Sequence, residues 1–129
     1  MAQGLPAVTG DVLTAGTFNG LVTFTVDTAQ TADYTAVLTD QYQVLEQMNK
    51  ATAIAYKIPT NASVAFPIGT ALTVLNIGVG TCTISAVTPG TTTVLSAGAV
   101  AASPTLAQYK SAACIKTATD TWYVMGAVA

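Results

Sequence analysis

The chain has no histidine and no arginine, and its charged side chains are only four lysines and six acids among 129 residues. Without histidine, the side chain that titrates nearest neutrality and serves most often as a general base is missing. The acids are Asp11, Asp27, Asp33, Asp40, Glu46 and Asp120. Most fall at turn positions, where solvation is expected, so neither a nucleophile-base pair nor paired carboxylates is in view and no enzyme is expected. Cys82 and Cys114 are the only two cysteines, which with no histidine cannot complete a four-ligand zinc site; no metal or cofactor is expected. Each cysteine sits in a predicted strand where a small hydrophobe would serve and is read as a packed thiol, and a bridge would require neighbouring strands. The net charge of −2 with no basic cluster removes the surface that neutralises phosphates, so nucleic acid is not an expected partner. No apolar run approaches the roughly 18 residues of a membrane span, and no charged segment precedes an apolar one as in an export signal. A soluble chain with no membrane partner is expected, and Asn61-Ala62-Ser63 is then a turn rather than a glycosylation acceptor.

What is abundant is apolar and hydroxylated. Hydrophobic residues make up 51% and charged residues 8%, against about a quarter charged in ordinary domains. There are 23 threonines, many on the outer side of predicted strands, where a β-branched hydroxyl suits a solvated pleat. Two readings follow: a threonine-coated β-domain, or a surface largely covered by partners in a permanent assembly. The length suits one domain with a single core.

The clearest pattern runs from Ala53 to Ala86. Ile54, Tyr56 and Ile58 alternate with Ala53, Ala55 and Lys57, as in a half-buried strand that Pro59 and the Thr60–Ser63 turn end. After a second breaker at Pro67–Thr70, Ala71–Ile77 is apolar on both faces and is expected at the centre of a sandwich. Gly78-Val79-Gly80 reads as the turn of a hairpin spanning Leu72 to Ala86. Upstream, strands are expected over Leu21–Val26, with Val22, Phe24 and Val26 on one face, and over Tyr34–Leu38. Tyr42–Met48 is compatible with a short helix, but its strand neighbours favour a strand. Downstream, Thr93–Ser96 reads as an edge strand, and Leu106–Thr117 with Thr121–Ala127 as a closing hairpin around Ala118-Thr119-Asp120 that places Trp122 in the core. The expected fold is all-β, an antiparallel β-sandwich of jelly-roll type over residues 21–129. Residues 1–20 are expected to form an extended N-terminal arm, whose Leu5, Val8, Val12, Leu13 and Phe18 lack periodicity and are candidate partner-interface residues. That arm is either a disordered tail or a strap docked on a neighbour.

Several segments together resemble a β-rich domain of tailed-bacteriophage virion structural proteins. They are Tyr34-Thr35 to Leu38, Met48-Asn49, Ile58-Pro59, Ser63 to Thr70, Gly78-Val79-Gly80, and Lys116-Thr117 through Asp120, Trp122 and Gly126. Gly10 to Ala15, with Asn19 and Leu21, is similar to a short segment near the start of phage fibre and virion proteins. The resemblance carries no catalytic residue, and the chain lacks a long fibre shaft. It implies a capsid decoration (cement) protein, made in the host cytoplasm and bound as a homotrimer to the major capsid protein on the outside of the shell. The alternative is a tail or head fibre module for host-surface glycans, with Tyr42, Asn76 and Tyr109 as candidate contacts.

Overall fold

The computed structural model describes residues 23–96 and 103–128. Ten strands and one 3-10 helix make up its regular structure: β1 (Thr25–Val26), β2 (Tyr34–Thr35), the helix (Leu38–Gln41), β3 (Val44–Met48), β4 (Ile54–Ile58), β5 (Ala71–Asn76), β6 (Cys82–Ala86), β7 (Thr93–Leu95), β8 (Thr105–Leu106), β9 (Lys110–Ala118) and β10 (Thr121–Gly126). They form a six-stranded sheet, ordered β1-β3-β5-β9-β10-β7, and a four-stranded sheet, ordered β2-β4-β6-β8. The all-β sandwich is as expected. The direction of pairing is not, because both sheets are mixed.

From β1 to β6 the chain alternates between the two sheets, and each strand lies parallel to the one before it in the same sheet. The first half is therefore wound as stacked turns rather than folded as hairpins, a departure from the antiparallel, jelly-roll expectation. Registers line up from turn to turn: Tyr34 pairs with Tyr56 and Tyr56 with Ile84, while Gln30 bridges to Met48 and Met48 pairs with Asn76. Antiparallel pairing appears only where β9 joins β5 and β10, and where β8 closes on β6. The closing hairpin forms about Asp120, whose φ of 53° is a left-handed turn conformation that aspartate tolerates.

The expected hairpin from Leu72 to Ala86 does not form, since β5 and β6 belong to opposite sheets. Strand alternation and a glycine turn fit equally a hairpin, whose strands bond to each other, and an arch, whose strands face each other across a core. The arch wins because residues 77–80 stack on the preceding turn. Ile77 and Gly78 donate their N–H groups to Met48 O at 2.9 and 3.2 Å, and Gly80 donates to Lys50 O at 2.9 Å. That approach is open only to glycine at Gly80, where an added Cβ would lie 1.8 Å from Thr52 O. Asn76 then ties the arch together. Its amide nitrogen donates to Gly80 O (2.9 Å) and Leu106 O (2.8 Å), and its Oδ1 accepts from Gly78 N (3.0 Å).

The inward faces follow the alternation read from the sequence. Ile54, Tyr56 and Ile58 of β4 and Cys82 and Ile84 of β6 are buried in the common core with Leu72 and Val74 of β5. Trp122 is buried, and Phe66 meets it edge-on at 5.5 Å between ring centroids. Tyr42–Met48 contains strand β3, and Thr93–Leu95 lies at the sheet edge, both as expected. Two segments differ. Tyr34–Leu38 is extended only at Tyr34–Thr35, because Asp40 folds the next residues into the 3-10 turn by accepting from Val37 N at 3.0 Å. Leu106 belongs to β8 in the four-stranded sheet, and the chain crosses at Tyr109, with φ of 64°, before β9 begins.

Candidate interaction surface and buried polar sites

Among the described residues, β1 pairs only with β3 and β2 only with β4, so the first winding turn supplies the outermost strand of each sheet at one end of the sandwich. Paired backbone on one side and none on the other is the ordinary condition of an edge, and edges invite strand addition or covering. Here the edge is also apolar. Of the ten large hydrophobic side chains exposed among the described residues, five belong to this turn: Phe24 (54%), Val26 (60%), Val37 (47%), Leu38 (47%) and Tyr42 (40%). Phe24 and Val26 share one face of the strand read over Leu21–Val26; the described strand is only Thr25–Val26, and both side chains are open to solvent. The arm, residues 1–20, and its Leu5, Val8, Val12, Leu13 and Phe18 lie outside the described residues.

Behind this edge lies a polar cluster that the pattern of acids did not suggest. Glu46 points inward from β3 and is 1% exposed. Gln30 Nε2 donates to its Oε1 at 2.8 Å, while Oε2 has no partner and the Asp27 carboxyl lies within hydrogen-bonding reach. Burial, and then the Asp27 carboxyl, push the Glu46 pKa up to about 7, with the Gln30 bond opposing. The nearby Asp27 carboxyl disfavours the charged form of Glu46, by repulsion and by hydrogen bonding to its neutral form. Asp40 is likewise buried rather than solvated, and its Oδ2 accepts from Tyr34 Oη at 2.6 Å. Burial and that bond raise the Tyr34 phenol well above its ordinary range.

A second cluster sits near the C-terminal end of β9. Lys116, 2% exposed, faces inward opposite Trp122, and its Nζ donates to Asn61 Oδ1 (2.5 Å) and Phe66 O (2.7 Å). Both acceptors are neutral, and burial lowers the lysine pKa, opposed by the Asp120 charge. Asp120 Oδ1 accepts from the Asn61 backbone N–H at 2.7 Å and from Thr92 Oγ1 at 3.1 Å, which pins the β4–β5 connection to the final hairpin. The Thr60–Ser63 turn predicted from Pro59 is present.

Cys82 and Cys114 are buried free thiols on opposite sheets, and burial is the main force raising their pKa values to about 11 and about 12. Of the candidate glycan contacts, Tyr109 is 75% exposed and Tyr42 40%, but Asn76 is fully buried with its amide satisfied by the arch and is removed from that set. A shallow recess of about 180 Å³ beside the end of β10, lined by Ser96, Tyr123, Met125 and Val128 among others, is smaller than the roughly 300 Å³ at which ligand clefts begin. No group of three or more His, Cys, Asp or Glu side chains among the described residues is placed to hold a metal ion, and no described helix is long and apolar enough to cross a membrane.

The features thus define a two-sheet β-sandwich with a wound first half and an apolar end. In comparisons with known proteins, no family model, no curated protein and no solved structure matches the chain.

Proposed function

We propose that this chain is a structural rather than catalytic protein of a tailed-phage virion: a decoration protein that binds the outside of the major capsid shell and stabilises it, as a homotrimer. The observation that carries the reading is the first winding turn, where strand edges and five exposed apolar side chains coincide on a chain with 8% charged residues. Such an end gains by being covered, and a partner that binds only the assembled shell shifts the shell's equilibrium toward assembly. The resemblance of Ser63–Thr70 and of Lys116–Gly126 to virion proteins supplies the biological setting.

The experiment pairs sedimentation with cryo-electron microscopy of intact particles. The wild-type chain is expected to sediment as a trimer and to give density on the shell, and Phe24→Lys with Val26→Lys to lose both while keeping the circular dichroism of the β-domain. A wild-type monomer with no affinity for any particle overturns the proposal. A second reading, glycan recognition on a fibre, is favoured by Tyr109, which stands 75% exposed on the crossing between β8 and β9. Density on the tail, with binding on a glycan array that Tyr109→Ala abolishes, supports that reading over the first.

A further inference from the structure

We propose that Lys116 and Asn61 are the partners of an intramolecular amide cross-link that the folded chain forms by itself, joining β9 to the β4–β5 connection. The inference is independent of the virion reading. It starts from an unusual placement: a lysine amine inside a β-sandwich with no carboxylate as its hydrogen-bond partner, 2.5 Å from the oxygen of a carboxamide. A buried lysine is ordinarily paired with an acid, because an ammonium loses much of its hydration when taken from water. Here the acceptors are Asn61 Oδ1 and the Phe66 carbonyl, and the surroundings include the Phe66 and Trp122 rings.

Burial shifts the amine toward its neutral form, which is the nucleophilic one, while the Asp120 charge acts against that shift. The electrophile is held independently of the lysine. Asp120 fixes Asn61 through its backbone N–H, and Asn61 Oδ1 points at the amine, so the carboxamide carbon is one bond beyond the contact atom. Proximity of this kind replaces a bimolecular encounter, and effective molarities for well-oriented intramolecular reactions reach about 10⁵ M or more.

The chemistry balances without a co-reactant. After a rotation of the Asn61 carboxamide about χ2, the Lys116 nitrogen lone pair attacks Cγ and forms the new N–C bond, with the negative charge passing to Oδ1. The attacking nitrogen gives up a proton, the leaving nitrogen Nδ2 takes one, the Cγ–Nδ2 bond breaks and the carbonyl re-forms. The products are a secondary amide between the two side chains and one molecule of ammonia. No oxidation or reduction occurs.

The bond would fasten the wound half of the sandwich to its closing hairpin, residues 55 positions apart in sequence. The test is the intact mass of the full-length protein after folding and prolonged incubation at neutral pH, followed by proteolysis and peptide mapping. The expected result is a mass lower by one ammonia, with the Asn61 and Lys116 peptides joined as one species. Lys116→Arg and Asn61→Ala are expected to keep the full mass of their sequences and to yield separate peptides. A succinimide at Asn61 would show the same mass loss but leave the peptides apart, and that outcome overturns the proposal. So does wild-type protein that is folded, as judged by Trp122 fluorescence, and still has its full mass with the two peptides separate.

Discussion

Glu46→Gln isolates the energetic cost of a carboxylate in the β1–β3 corner. In the folded chain Glu46 titrates at about 7 against an ordinary 4.5, and burial is the main cause. Between those values the folded state holds a proton that the unfolded chain has released, so stability falls as pH rises through the window and stays low above it. A displacement from 4.5 to about 7, at about 1.4 kcal/mol per pH unit, bounds the loss near 3.5 kcal/mol, and solvent screening at the half-exposed Asp27 brings the expected value to about 1–3 kcal/mol. Glutamine keeps an oxygen for Gln30 Nε2 and offers Asp27 an amide N–H where Glu46 offers a carboxyl proton. Urea unfolding followed by Trp122 fluorescence should therefore find the variant within about 0.5 kcal/mol of wild type near pH 4.5, and more stable by about 1–3 kcal/mol near pH 8. A difference that does not change with pH, or a variant weaker than wild type at the higher pH, would refute this account of the corner.

Two further perturbations test the arch and the core. Gly80→Ala places a Cβ 1.8 Å from Thr52 O and 2.2 Å from Thr52 C, both backbone, so it should cost more than about 3 kcal/mol and depress the melting temperature sharply. Gly90→Ala, with nothing within 4 Å of the new carbon, should leave the melting temperature almost unchanged; equal effects at the two sites would mean that residues 77–80 do not stack on the turn below. With Cys82 and Cys114 raised to about 11 and about 12 by burial, neither thiol should react with a disulfide reagent near pH 8 until denaturant is added. Fast labelling of the native chain would contradict the packed-thiol reading.

The sequence disclosed which faces point inward far better than which strands pair. Ile54, Tyr56, Ile58, Cys82 and Ile84 are buried as their period-2 alternation requires, because burial of alternate side chains is local to each strand. Pairing depends on what a turn stacks against. The Gly78-Val79-Gly80 segment has the composition of a hairpin turn, and only the main chain of Met48, Lys50 and Thr52, some 28 residues earlier, makes it an arch. A turn-to-turn register was present in outline: the equivalent positions Ile54 and Cys82, or Tyr56 and Ile84, are spaced alike, but the turn before them is shorter, with Tyr34 to Tyr56 only 22 apart. Unequal turns hide a repeat from inspection of the sequence.

The polar residues were misjudged for a related reason. Turn-like neighbours suggest a solvated acid at Asp40, which is buried instead, whereas Glu46 lies within the strand read over Tyr42–Met48 in phase with Val44 and Met48, so its carboxyl enters the core face. The same arithmetic applies to Lys116, in phase with Ala112 and Cys114 on β9, and to Asn76, in phase with Leu72 and Val74 on β5. A charged or amide residue on the inward phase of a strand needs a partner or a neutral form, and the partners found here are Gln30, Asn61 with the Phe66 carbonyl, and the arch backbone. Each ties together segments distant in sequence. Unequal stacked turns have no repeating side-chain ladder to fix their register, so in this fold the inward polar residues take over that task, and replacing any one by a hydrophobe of similar size should loosen register before it weakens burial.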